Sequence, residues 1–210
     1  MKLLSLCLGH PEKLPGKSYK TGINKMPMKN PVMIDVEGLV GDAVCNTKYH
    51  GGPEQAILLE GSLTLDWWRS ELGRDLPDGS FGENLVIEGL DNRDVAAGDC
   101  FRVGAELVLQ ATSARTPCAT LAAKMGDPTF VKAYRSAARP GIYCRVLAPG
   151  FASAGDAVEF SVYEGTRVSI PELLTKFGKR LGDDDRQRFL SAPIHADMRE
   201  AIEAGKPAKF

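Results

Sequence analysis

The sequence predicts a mixed α/β fold that is mainly β: a barrel or strongly curved sheet with short flanking helices and a small C-terminal unit of three helices. Three observations support this. Short apolar runs rich in β-branched residues recur between turn glycines, at the lengths that strands use. Helical periodicity interrupts them only briefly before residue 163 and dominates after it. With 210 residues, 43% apolar and 25% charged, the chain can fill one substantial core and solvate its surface.

Taken in order, the strand candidates are KLLSLCL from Lys2, PVMIDV from Pro31, EQAILLE from Glu54, NLVIEGL from Asn84, FRVGAELVLQAT from Phe101, GIYCRVL from Gly141 and AVEFSVY from Ala157. Many short strands at irregular spacing favour closure, which removes exposed edges. Three helices interrupt them. SLTLDWWRSELG offers Ser62 as N-cap, Leu65, Trp68 and Leu72 on one face, and Gly73 as the stop. RTPCATLAAKMG, residues 115–126, offers Thr116 as N-cap, Pro117 at the first helical position and Gly126 as the stop. DPTFVKAYRSAARPG places Phe130 and Tyr134 four apart. Gly-Asp pairs at Gly41-Asp42, Gly98-Asp99 and Gly155-Asp156 read as turns, with the aspartates as turn formers.

After Tyr163 the pattern changes. SIPELLTKFGKRL has Ser169 and Glu172 in capping-box spacing, and DDDRQRFLS and HADMREAIEAG follow as further helical segments. The acidic run from Asp183 suits a helix N-terminus. The expected division is therefore 1–163 for the barrel and 164–210 for the helical unit, which is too small for a core of its own and must pack on the barrel or a partner.

No apolar run approaches the roughly 20 residues that cross a bilayer. The opening KLLSLCL, followed by Pro11, reads as a strand rather than a leader. A cytoplasmic location is expected. A net charge of −1 gives no general attraction to nucleic acid duplexes and points to a small ligand, any anion being met by a local cluster of cations. Cys7, Cys45, Cys100, Cys118 and Cys144 are scattered and show no CxxC spacing, so a disulfide framework, a structural zinc site and an iron–sulfur cluster are not expected.

Three clusters can carry chemistry. Cys118 at a helix start, with Arg115 close by in sequence, is placed where a thiolate is favoured, as nucleophile or soft-metal ligand; a buried packing cysteine at the helix start is the plainer reading. In KYHGGPEQA, Lys48 and His50 supply donors for an anion, while Gly51 and Gly52 let backbone approach a ligand; a simple turn is the plainer reading. In FGENL, Glu83 and Asn84 could hydrogen-bond a heterocycle edge or tie down a loop.

In their order, HGG, FGEN, GD, R-x-P-C and G-x-Y-x-R-V before a final Gly-Asp strand resemble the MOSC domain. KTGINKMP from Lys20, GLVGD from Gly38 and the helical tail make the chain similar to the YiiM-like branch of that family. The resemblance covers nearly the whole chain. It implies a mixed β-barrel that binds the molybdenum cofactor, with Cys118 as protein ligand to molybdenum or as carrier of a sulfur atom. It makes Lys48, His50, Gly51, Gly52, Arg115, Thr116 and Arg139 candidates for the pterin and its phosphate, with Asn84 as a polar contact and Lys20 at the rim. It brings neither the pyridoxal-phosphate desulfurase of the sulfurase proper nor the iron–sulfur module of some relatives.

Two functions follow from the resemblance. One is a molybdenum-dependent reductase of N-hydroxylated small molecules such as hydroxylamino base analogues, with an external reductase as electron donor and His50 or Glu83 as proton donor. The other is a sulfur-carrier or cofactor-delivery module with a persulfide on Cys118. An exposed face on the tail would favour a homodimer or a contact with the reductase.

Overall fold

The computed structural model describes residues 1–209. The expected apolar runs become β1 (Leu3–Gly9), β3 (Val32–Asp35), β5 (Ile57–Gly61), β6 (Leu85–Ile87), β7 (Cys100–Val103), β8 (Leu107–Ala114), β9 (Ile142–Ala148) and β11 (Val158–Ser161). The long run from Phe101 is two strands, because residues 104–106 turn and pair β7 with β8 antiparallel. β2 (Lys25–Pro27), β4 (Gly38–Leu39) and β10 (Gly150–Ala152) are too short to leave an alternation in the sequence.

Eight strands form one sheet in the order β11-β7-β8-β9-β5-β6-β1-β2, and β10-β3-β4 form a second. In the large sheet only β5 and β6 run parallel, joined by the crossover helix α1 (Ser62–Leu72). The ladders do not close into the expected barrel: β11 and β2 are the terminal strands. Instead the sheet curls until a single bridge, Lys2 to Ala157, joins the start of β1 to the run into β11. Six helices hold about as many residues as the strands, so the fold is mixed α/β rather than mainly β.

α1 starts at Ser62 with Gly61 as N-cap, and Ser62 Oγ instead accepts from Gly89 N–H at 2.9 Å. Gly73 ends it in the left-handed conformation, as expected. With α2 (Ala119–Met125) and α3 (Phe130–Ala137) it buries an aromatic cluster in which Trp68 stacks on Tyr134 and Phe81 on Phe130. The Gly-Asp turns form as read. At Gly98 (φ +95°) a Cβ would meet the Tyr163 ring and Pro193, and Asp99 accepts from Ala96 N–H and Tyr163 N–H.

The tail forms α4 (Ile170–Lys176), α5 (Asp183–Leu190) and α6 (Ala196–Glu203). Ser169 caps α4 by accepting from Glu172 N–H, and the three aspartates occupy the first turn of α5. Their apolar faces are spent within the chain: Ile170, Leu173, Phe189, Met198 and Ile202 share one core with Phe101, Leu107 and Leu109 of the sheet. Ala97 N–H to Val168 O and Ile170 N–H to Val95 O tie the tail to the loop ahead of β7.

Candidate active site

β8 delivers Arg115, and the chain then turns into α2. Thr116, which precedes a proline, is disfavoured from helical dihedrals. The N-cap is therefore Cys118 in extended backbone, not Thr116, and Pro117 lies before the helix; Gly126 ends it as expected. This half-buried thiol packs against the aromatic cluster. Burial would raise its pKa, but a hydrogen bond with His50, the Arg115 guanidinium and the Leu121 N–H outweigh it and hold the thiol at about 6, below an ordinary 9.0. Cys118 is thus a thiolate at neutral pH.

Cys118 borders a cavity of about 710 Å³ whose wall also carries His50, Gly51, Asn84, Arg115 and Thr116. Segments distant in sequence meet here: the loop before α2, the HGG loop, the loop before β6, and residues 19–25. Among the described residues, five cationic side chains, Lys20, Lys25, Arg115, Arg135 and Lys209, line it beside one carboxylate, Asp42, which pairs with Lys25. Arg115 is 5% exposed, lies over the Tyr134 ring, and its buried Nη1 has no hydrogen-bond partner. A buried guanidinium nitrogen without a partner carries a cost that an anionic ligand would remove.

The remaining expected site residues lie elsewhere. Lys48 is exposed, over the ring of Tyr49, and Gly52 precedes the short 3-10 turn at Pro53–Gln55; neither lines the cavity. Arg139 is spent on structure: it donates to Asp91 at 2.8 Å and covers the face of Trp67. Glu83 is fully buried, its two oxygens accepting from Gly79 N–H at 2.6 Å and Phe81 N–H at 2.9 Å. It ties the loop down and takes no place on the cavity wall. Asn84 reaches the wall, but its amide bonds Leu58 N–H and Asp42, so it holds β5 and Asp42 in position.

Sequence reasoning missed Tyr143, Arg135, Phe177 and Lys209, all on the wall. Tyr143 lies inside the G-x-Y-x-R-V motif, so a signal existed. Arg145 of the same motif pairs with Glu54 at 3.0 Å and donates to Pro193 O and Ile194 O, binding the HGG region to the tail. Phe177 and Lys209 belong to the tail, and no local pattern marks them.

A half-buried thiol of lowered pKa and a buried guanidinium nitrogen without a hydrogen-bond partner thus meet on one cation-rich cavity. The MOSC domain model matches residues 46–159, and the chain belongs to the MOSC domain family. It is 38% identical over 159 residues to protein YflK of Bacillus subtilis (strain 168), covering 75% of this chain and 72% of that one. It is 30% identical over 146 residues to a protein of Gibberella moniliformis named "Reductase", covering 68% of this chain and 26% of the other. The crystal structure of YiiM from Geobacillus stearothermophilus superposes with a TM-score of 0.78 at 26% identity over 97% of both chains.

Proposed function

We propose that this chain binds the molybdenum cofactor through Cys118 and reduces N-hydroxylated small molecules with electrons from an external reductase. The observation that carries the reading is the meeting of Cys118, His50 and Arg115 on one cation-lined cavity. The residues fit the group. Among the described residues no three metal-binding side chains gather, so the chain suits a metal that brings most of its own ligands and takes one soft sulfur from the protein. The partnerless nitrogen of Arg115, with Lys20 and Arg135 on the same wall, suits the phosphate of a pterin.

When bound, the cofactor supplies two-electron chemistry with acceptance of an oxygen atom. The chain's own part is binding and proton delivery. Cys118 offers a thiolate without a proton to remove at neutral pH. His50, in contact with that sulfur and on the cavity wall, is placed to hand a proton to the oxygen that leaves nitrogen. Glu83, enclosed by backbone N–H groups, is not. Tyr143 and Phe177 give the wall apolar surface against which a flat substrate can pack. The name of the fungal relative supports a reductase.

The test is metal and pterin analysis of the full chain made in a host that synthesises the cofactor, followed by turnover of a hydroxylamine with an artificial electron donor. About one molybdenum and one pterin per chain are expected, lost in Cys118→Ser without unfolding. A wild-type chain free of molybdenum, with one added sulfur on Cys118, would replace this reading by the sulfur-carrier one.

A further inference from the structure

Two of the five cysteines, Cys45 and Cys118, line the same cavity, and among the described residues no others do. Cys7 and Cys144 are fully buried and Cys100 lies on β7. Cys45 is exposed on the loop of residues 42–51, which lies outside every strand and helix. Two contacts fold this loop back on itself. Val44 packs so closely on Gly51 (φ +80°) that a Cβ there would lie 2.9 Å from its Cγ1. Asn46 O accepts from His50 N–H at 3.1 Å. Cys45 thus sits between two residues that both touch the His50–Gly51 pair, and the His50 ring hydrogen-bonds Cys118. The two thiols thus border one cavity, with the His50–Gly51 pair touching the neighbours of Cys45 and, through the His50 ring, Cys118 itself.

From this placement we propose that Cys45 and Cys118 form a reversible disulfide when the protein meets a peroxide, making the cavity a two-cysteine modification site. Hydrogen peroxide oxidises one sulfur to a sulfenic acid and releases water. The second thiol attacks that sulfur, an S–S bond forms, the S–O bond breaks, and the oxygen leaves as a second water. Two thiols and one peroxide give one disulfide and two waters, the two electrons passing from sulfur to the peroxide bond. Bridging needs the Cα atoms within about 7 Å. The bond therefore requires the loop of residues 42–51, which lies outside every strand and helix, to carry Cys45 toward Cys118. The bond would cover the sulfur that the cavity otherwise presents and spare it from irreversible oxidation. A thiol reductant restores it.

The experiment treats the full-length chain with increasing hydrogen peroxide and digests it without reduction after Lys and Arg. The expected product is one linked pair of peptides, residues 30–48 with 116–124, formed within monomers and removed by dithiothreitol. Cys45→Ser should lose the link and instead carry sulfinic acid on Cys118 at peroxide doses where the wild type carries none. Cys45→Ala checks that this reflects the thiol and not the serine. The proposal is overturned if the wild type accumulates sulfinic acid on Cys118 as readily as Cys45→Ser does, if Cys118 stays reduced while Cys45 oxidises alone, or if the linked peptides arise only between chains. The treatment is made on chain prepared without molybdenum, in which Cys118 is not engaged as a ligand, so its outcome does not depend on whether the molybdenum reading holds.

Discussion

Replacing Phe189 by alanine tests whether the helical tail and the sheet are one folding unit. Phe189 is 0% exposed on α5 and packs in the core that also holds Phe101 and Leu107. A buried Phe→Ala change costs about 3–5 kcal/mol in lost transfer energy and cavity. For a chain of this length each kcal/mol lowers Tm by about 2–4 °C, so a drop of about 6–20 °C is expected. The assay exploits an accident of composition. The only two tryptophans, Trp67 and Trp68, both belong to the aromatic cluster of α1, α2 and α3, in which, among the described residues, no tail residue takes part. Tryptophan fluorescence therefore reports on the region opposite the mutation, while far-UV circular dichroism sees all six helices. If one core joins the halves, both signals should melt together and move down by the same amount. A fluorescence midpoint left in place while part of the helical signal melts early would refute the reasoning and make 164–210 a separate unit.

Three further outcomes are expected. Alkylation of Cys118 by iodoacetamide in the cofactor-free chain should follow a titration centred near pH 6, and His50→Asn should move that midpoint up by about one unit or more, since a hydrogen bond to the charged form is lost; an unmoved midpoint would remove His50 from the site. The same depressed pKa has a stability consequence: folding favours the thiolate, so its contribution is complete above the unfolded value near 9 and is lost as pH falls through about 6. The difference in Tm between wild type and Cys118→Ser should therefore grow from pH 6 to pH 9, and a difference that is flat with pH would count against a native thiolate. Finally, Arg115→Met should weaken pterin retention by roughly tenfold or more, whereas Arg139→Met should leave retention intact and lower Tm, because its partners are Asp91 and Trp67; the reverse pattern would reassign the phosphate site.

Much of the fold was legible because its signals are local. Apolar runs marked most of the strands, Gly73 and Gly126 stopped their helices, and Ser169 capped α4. The Gly-Asp pairs marked turns because backbone geometry there depends on one or two residues. The errors have physical causes of the same scale. The residues at 104–106 turn without an obvious punctuator beyond Gly104, so one run was read for two strands. Thr116 looked like a cap because its hydroxyl suits one, but its proline neighbour keeps it extended.

The sequence by itself determined which residue types this protein brings to chemistry: a thiol near an arginine, a histidine before paired glycines, and a motif order that belongs to the MOSC domain family. Only the tertiary structure decided which of them meet. It put Cys118, His50 and Arg115 on one wall and left Lys48 in solvent. It turned Arg139 toward Asp91 and sealed Glu83 among backbone N–H groups. It also brought Lys209 from the far end of the chain, and Cys45, to the same cavity. Motifs record residue identity along the chain, whereas desolvation, hydrogen bonding and charge pairing depend on distances that long-range packing alone establishes.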